Sequence, residues 1–324
     1  MKSYSLRVEG ASTVLHLDEV PVPAPGAGQV LVRLRAAGLN RGEFIPGGLV
    51  KGGAAKPAGI EGAGEVAALG AGVTGLKVGD AVMGRCPGAF ADYAVMDARE
   101  ALPVPAGLGF EAAASVPLTF LVVHDMLVLQ GHLKAGEWLL VTGVSSGVGV
   151  ASLQMAKALG ARVIGTSGSP DKLATLKTLG LDLGLATRQP DFATAVLEAT
   201  GGRGVDLVVN TVGGTVFAEC VRCMAFEARL ATVGYVDQTL KAEIDLQALH
   251  AKRLTLFGVS NKLRNADQRA AGVPAFAADI LPAIADGRIR PVVDRVFPFA
   301  DLPAARAHME ANAHLGKIVV TMAP

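Results

Sequence analysis

Cysteine is scarce, with three in 324 residues, which is too few for a disulfide framework. Cys220 and Cys223 form a single C-x-x-C with no second pair to complete a zinc site. They sit in AECVRCMAF, which reads as a helix interior, so buried structural thiols are expected. The six histidines (His16, His124, His132, His250, His308 and His314) show no metal-ligand spacing. An excess of one charge is also missing. Thirty Lys and Arg against 29 Asp and Glu leave a net charge of +1. That gives no field to draw in nucleic acid or an acidic membrane. No uninterrupted apolar run reaches the roughly 18 residues that a membrane span needs. The opening MKSYSLRVEG lacks the apolar core of a signal peptide, so a cytoplasmic protein is the expectation.

What the chain does have is apolar bulk, 51% hydrophobic, and 40 glycines. At this length two domains are expected. The most informative stretch is Glu137 to Ser167. Trp138–Thr142 is an apolar run of strand length, followed at once by Gly143, Gly147 and Gly149. Val150, Leu153, Met155, Ala156 and Leu159 then recur at helical spacing, Gly160 stops the helix, and Arg162–Thr166 is a second strand. This is a βαβ unit with a glycine turn. Without side chains, such a turn lets backbone approach a pyrophosphate, with the N–H groups of the helix start aimed at the anion. The spacing is not G-x-G-x-x-G; its place between strand and helix is what points to dinucleotide binding. Neither G-x-S-x-G nor a matching His accompanies Ser145 and Ser146, so a nucleophile is not expected.

On either side the pattern changes. Residues 1 to 100 hold short alternating strands, among them Gln29 to Ala36, separated by Gly and Pro turns, and suggest a compact barrel. Phe110–Ser115 and Thr119–Leu129 form a helical tract. From Lys172 to Val259 helices and strands alternate, as in a doubly wound parallel sheet, with Thr215–Ala225 expected as helix and Arg253–Val259 as an edge strand. Beyond Ser260, Gln268 to Asp286 reads as helix broken near Pro282. Val292–Val296 and Gly316–Thr321 read as strands around a helix that Asp301 could cap.

The order of parts resembles the medium-chain dehydrogenase/reductase superfamily, and its zinc-free quinone oxidoreductase branch in particular. The stretches that carry this are GLNRGEF (38–44), GIEGAGEVAALGAGVTGLKVGDAV (59–82), VTGVSSGVGVASLQMAKALGARVIGTSGSPDKL (141–173), NTVGG (210–214) and LGKIVV (315–320). The resemblance implies an α/β protein. A β-rich GroES-like catalytic domain would span 1–122 and 261–324, and a doubly wound parallel Rossmann domain 123–260. An active-site cleft between them and a homodimer paired along the 253–259 edge are also implied. Zinc enzymes of the superfamily carry Cys at the place of Asn40 and His at that of Ile60. Glu61 alone cannot hold a metal that needs about three donors.

Ser146, Gly147, Val148 and Gly149 are expected to cradle the pyrophosphate. The second strand ends at Gly165-Thr166-Ser167-Gly168-Ser169 without the acid that NAD-preferring folds place there; Asp171 lies beyond it. Ser167, Ser169 and Lys172 suit a 2′-phosphate instead, with Arg188 adding a cation, so NADPH is the expected cofactor. The resemblance places Asn40 and Arg41 at the nicotinamide, with Asn40 donating to a substrate carbonyl. It sets Gly234, Tyr235, Val259 and Ser260 near the nicotinamide half, with Asn261 and Lys317 as further candidates. Relatives often hold the nicotinamide amide with a Thr; here Val122 stands there and Thr119 is the substitute. The implied chemistry is metal-free hydride transfer from NADPH to a quinone or an activated α,β-unsaturated carbonyl. The alternatives are an enoyl-thioester reductase and a non-catalytic NADPH-binding redox sensor. Enoyl-thioester reductases of the superfamily carry a Tyr where this chain has Gly47-Gly48-Leu49, and no Tyr occurs from 5 to 92.

Overall fold

The computed structural model describes residues 1–10, 12–45 and 55–323, so Gly47-Gly48-Leu49 lie outside the described residues. The strands are β1 (Lys2–Glu9), β2 (Ser12–Glu19), β3 (Gln29–Gly38), β4 (Lys56–Pro57), β5 (Glu61–Leu69), β6 (Ala81–Arg85), β7 (Tyr93–Asp97) and β8 (Leu102–Pro103). They continue with β9 (Trp138–Thr142), β10 (Arg162–Ser167), β11 (Leu183–Ala186), β12 (Val205–Asn210), β13 (Met224–Thr232), β14 (Thr255–Gly258), β15 (Val293–Pro298) and β16 (Lys317–Thr321). The chain divides into two compact units. One comprises Met1–Leu121, Arg264–Asp286 and Pro291–Pro324; the other comprises Val122–Leu263 and Gly287–Arg290.

In the first unit β1 pairs antiparallel with β2 and β4, and a larger sheet runs β15-β16-β3-β5-β6-β8 with β7 added to β3. β3 is its centre. From Val30 to Gly38 only Arg33 and Arg35 keep partial exposure, and Arg35 reaches Glu65 at 2.8 Å. Its apolar side chains join Tyr4, Phe90, Met96 and Ile318 in one core. The tract after Ser260 departs from the single broken helix read in the sequence. Two helices form, Ala266–Ala270 and Val273–Ala285. Asn265 and Gln268 cap the first one reciprocally. Pro274 marks the boundary because a proline is tolerated in a first turn, where its missing N–H has no partner to lose. Pro282 stays inside the second helix, one turn from its end.

The second unit is a parallel sheet in the order β11-β10-β9-β12-β13-β14. Every residue of β9 and β12 is buried, which explains why β9 reads as an apolar run rather than an alternating one and why the centre of β12, Leu207–Val209, does too. The tract 215–225 is not one helix. A 3-10 turn at Gly214–Val216 leads into the helix Phe217–Arg222, and β13 already begins at Met224. β14 is an outer strand of this sheet, with Leu256 36% exposed. Among the described residues no helix is long and apolar enough to cross a membrane.

Candidate functional site

In a parallel sheet the loops at the carboxyl ends of the strands share one edge, and ligands bind there. The structure brings most of the sequence-derived candidates to that edge of the second unit. After β9, Gly143 adopts φ +67, a conformation costly for any other residue, and a Cβ there would meet Thr211 Oγ1 at 2.6 Å. The helix Gly147–Ala158 starts immediately, with Ser146 as its N-cap. Ser146 Oγ accepts from Gly149 N at 3.1 Å. The remaining N–H groups of the first turn, on Gly147 and Val148, have no partner within the helix and point out of its start. Gly149 must lack a side chain, because a Cβ would lie 2.5 Å from Gly143 O. The turn is therefore packed down against the helix, leaving a backbone surface suited to an anion.

β10 delivers the second group. Ser169 caps the helix Pro170–Lys177, its Oγ accepting from Lys172 N at 3.3 Å. Ser167 is buried, and its Oγ engages Ser145 Oγ at 3.2 Å and Ser169 N at 3.3 Å. Both serine hydroxyls therefore hold the turn in place, Ser167 by bonding Ser145 and the Ser169 backbone and Ser169 by capping the helix. Arg188, exposed after β11, lays its side chain over Gly168, where a Cβ would displace it. The fold thus brings Arg188 to the glycine that precedes Ser169, across a gap in sequence. Asp171, the nearest acid, is exposed in the first helical turn.

Beneath the edge runs a polar web that the sequence reading did not single out. Asn210, fully buried at the end of β12, accepts from Thr142 Oγ1, Val212 N and Gly213 N, and donates to Gly213 O. Thr211 Oγ1 donates to Thr142 O at 2.7 Å. These bonds tie the ends of β9 and β12 together. The loop after β13 is tied to them in turn, through Val233 N to Asn210 O and Asp237 N to Val212 O. That loop carries Gly234, whose Cβ position lies 3.1 Å from Thr211 O, and Tyr235, 58% exposed. Val259 N bonds Thr232 O, which extends the β13–β14 ladder and leaves Val259 buried and Ser260 exposed at the same edge.

The first unit contributes a different kind of site, a buried cluster around the end of β3. Glu61 is wholly buried. Its Oε1 accepts from Lys317 Nζ at 2.6 Å and Asn40 Nδ2 at 2.9 Å, and its Oε2 from Leu118 N at 2.8 Å. Lys317 also donates to Leu39 O and to Asn40 Oδ1, both at 2.8 Å. All three ammonium hydrogens are therefore committed inside this unit. In the structure Lys317 serves as the counter-charge for Glu61. The reason is the pairing of β16 with β3, which buries Lys317 beside an acid it must neutralise. Gly38 leaves room for the pair, since a Cβ would lie 2.9 Å from Glu61 Oε1.

Asn40 is also more constrained than expected. Its Nδ2 donates to Glu43 Oε1 at 2.7 Å as well as to Glu61, so both amide hydrogens are engaged within the protein. Glu43 itself is 1% exposed, and burial pushes its carboxyl up to about 8, against the pull of Asn40 and Lys317. Arg41 turns its guanidinium to Met309 O at 2.7 Å and Asn312 Oδ1 at 2.8 Å, at the end of the helix Leu302–Glu310. That anchor, rather than a free cation, is what the fold presents. Thr119 is buried in the helix Pro117–His124. Glu43 was legible only as an acid inside GLNRGEF; nothing in the sequence marks it as neutral.

Among the described residues no group of three or more His, Cys, Asp or Glu is placed to hold a metal ion. Asn40, Ile60 and a Glu61 already paired with Lys317 do not make a zinc donor set. Burial raises the Cys223 thiol to about 12 and holds that of Cys220 well above its usual value, so neither supplies thiolate.

Two family models match, "Alcohol dehydrogenase GroES-like domain" over residues 26–106 and "Zinc-binding dehydrogenase" over residues 147–271. The structure of mycobacterial Rv1454c complexed with NADPH is 30% identical and superimposes with a TM-score of 0.89, over 99% of this chain and 100% of that one. A mycobacterial quinone oxidoreductase is 30% identical with a TM-score of 0.87, over 99% of each chain. A phenolphthiocerol/phthiocerol polyketide synthase of Mycobacterium tuberculosis is 33% identical over 316 residues, 97% of this chain. This chain spans only 14% of that protein's length. An open parallel edge with a glycine turn, a separate β-rich unit and end-to-end likeness to these proteins leave one assignment: the chain belongs to the medium-chain dehydrogenase/reductase superfamily, in its quinone oxidoreductase-like branch.

Proposed function

We propose that this chain is an NADPH-dependent reductase that passes hydride, without a metal, to a quinone or an activated α,β-unsaturated carbonyl compound. The observation that carries this is the edge of the parallel sheet, where Gly147 and Val148 present helix-start N–H groups without an intrahelical partner, and where Ser169 and Lys172 open a helix after a β10 that ends without an acid, with Arg188 beside Gly168. The first arrangement suits a pyrophosphate and the second a 2′-phosphate. When bound, NADPH supplies the hydride. Gly234, Tyr235, Val259 and Ser260 line the edge beyond the pyrophosphate turn, where a nicotinamide half belongs. In the first unit Glu61, Lys317 and Glu43 fix Asn40, the residue assigned to the acceptor's carbonyl oxygen. A hydride and one proton complete the reduction, the proton coming from water.

A second reading, enoyl-thioester reduction, is favoured by the likeness to a polyketide synthase. The absence of Tyr from 5 to 92 weighs against it. An NADPH-consumption screen across quinones, enones and enoyl thioesters decides between them. Turnover of the first two classes is expected. Enoyl thioesters outpacing both would move the assignment, and NADPH bound but inert to all three would leave a redox sensor. The protein is further expected to be a homodimer, since β14 exposes Leu256 along an unpaired strand edge, an aggregation hazard unless covered. A monomeric mass by light scattering at micromolar concentration would refute the dimer.

A further inference from the structure

We infer that Glu43 is a positioning residue whose proton keeps one N–H of Asn40 exchangeable, so that losing the proton locks that N–H away from an acceptor. The inference rests on the reading of Asn40 as the acceptor's hydrogen-bond donor.

The geometry starts from an oddity. Glu43 Oε1 accepts from Asn40 Nδ2, but Glu43 Oε2 is buried with no hydrogen-bond partner among the described residues. A carboxylate would leave a charge on that oxygen unsolvated, whereas a neutral acid leaves only an unpaired O–H there, a much smaller cost. The charges around it agree. Lys317 comes from β16, Glu61 from β5, and the buried Cys86 follows β6. Lys317 already bonds Glu61 at 2.6 Å, so an ionised Glu43 would put a second negative charge against a single cation. Burial accordingly holds the Glu43 carboxyl up at about 8.

The consequence falls on Asn40, which is only partly buried. Its two amide hydrogens go to two acids of different strength. Glu61, paired with Lys317, accepts as a charged group. Neutral Glu43 accepts through a carbonyl-type oxygen, a bond about half as strong as a charge-assisted one. The Asn40–Glu43 bond is therefore the one that can be exchanged for an acceptor's carbonyl oxygen. Once Glu43 ionises, the same bond becomes charge-assisted and the N–H is held back. Above the transition, kcat/KM for an enone should fall by about tenfold per pH unit, while NADPH binding stays level.

Glu43→Gln keeps the carbonyl acceptor and cannot ionise. Its kcat/KM at pH 7 should stay within about threefold of the parent, with the alkaline limb gone. A readout independent of turnover is the side-chain amide resonance of Asn40 in 15N-labelled protein. It should shift with a midpoint near pH 8 in the parent and stay flat in Glu43→Gln. An Asn40 resonance that ignores pH in the parent overturns the inference, even if the enzyme is active. An unchanged alkaline limb in folded Glu43→Gln overturns it too. If Asn40 titrates as expected but no acceptor of any class oxidises NADPH, the switch stands and the reductase reading fails.

Discussion

Lys317→Met is expected to lower stability by about 3–5 kcal/mol, because it strands Glu61 as an unpaired charge in the interior. Glu61 has no exposure at all, and Lys317 has 7%. The attraction between them repays the loss of hydration only while both are present. Leu118 N and Asn40 Nδ2 remain as donors to Glu61, but two neutral donors do not replace a cation at 2.6 Å. The melting temperature should fall on the order of 10 °C for a chain of this size. The double variant Lys317→Met/Glu61→Gln removes both charges and should recover most of the loss, giving a coupling energy of roughly 2 kcal/mol or more in a double-mutant cycle. A Lys317→Met melt within about 2 °C of the parent would show that the pair is not what holds β16 to β5. NADPH affinity of the folded variant is expected to be unchanged, which separates a counter-charge from a cofactor contact.

Replacing both cations at the β10 end should weaken NADPH binding while sparing NADH. A charge-assisted hydrogen bond from Lys172 or Arg188 to a 2′-phosphate contributes about 1.5 kcal/mol at an exposed position, near the lower end of the range for such bonds. Lys172→Ala and Arg188→Ala should therefore each raise the NADPH Kd roughly tenfold, and together on the order of a hundredfold. NADH lacks the phosphate and should bind the parent and the variants alike. Isothermal titration of both cofactors against all four proteins measures this. Equal losses for NADH would mean that these side chains shape the turn instead of reading the phosphate. The Arg188 arm is the sharper one, since Lys172 also lies within the helix that Ser169 caps.

The second unit was legible in the sequence because its signals are local. The run Trp138–Thr142, the glycines at 143, 147 and 149, and the helix that follows lie within one βαβ unit. Each depends only on neighbours a few residues away: burial on both faces, a positive φ at Gly143, an N-cap at Ser146. The helix boundary near 272 was misplaced for an equally local reason. Two prolines compete there, and only packing decides which one starts a turn and which one is carried inside it.

The acceptor side was much less legible. Asn40, Glu43, Glu61 and Lys317 are spread over 277 residues between the first and last of them that bond, and no periodicity links them. Sequence by itself determined the class of fold, the glycine turn and the absence of an acid after the second strand, since each follows from residue type and spacing. Tertiary structure alone decided that Lys317 neutralises Glu61, that Arg41 is tied to the last helix, that Arg188 rests over Gly168 and that burial holds the Glu43 carboxyl up at about 8. These are properties of desolvation and of partners brought together by strand pairing. A side chain's charge and its free hydrogens are settled only when the interior closes around it.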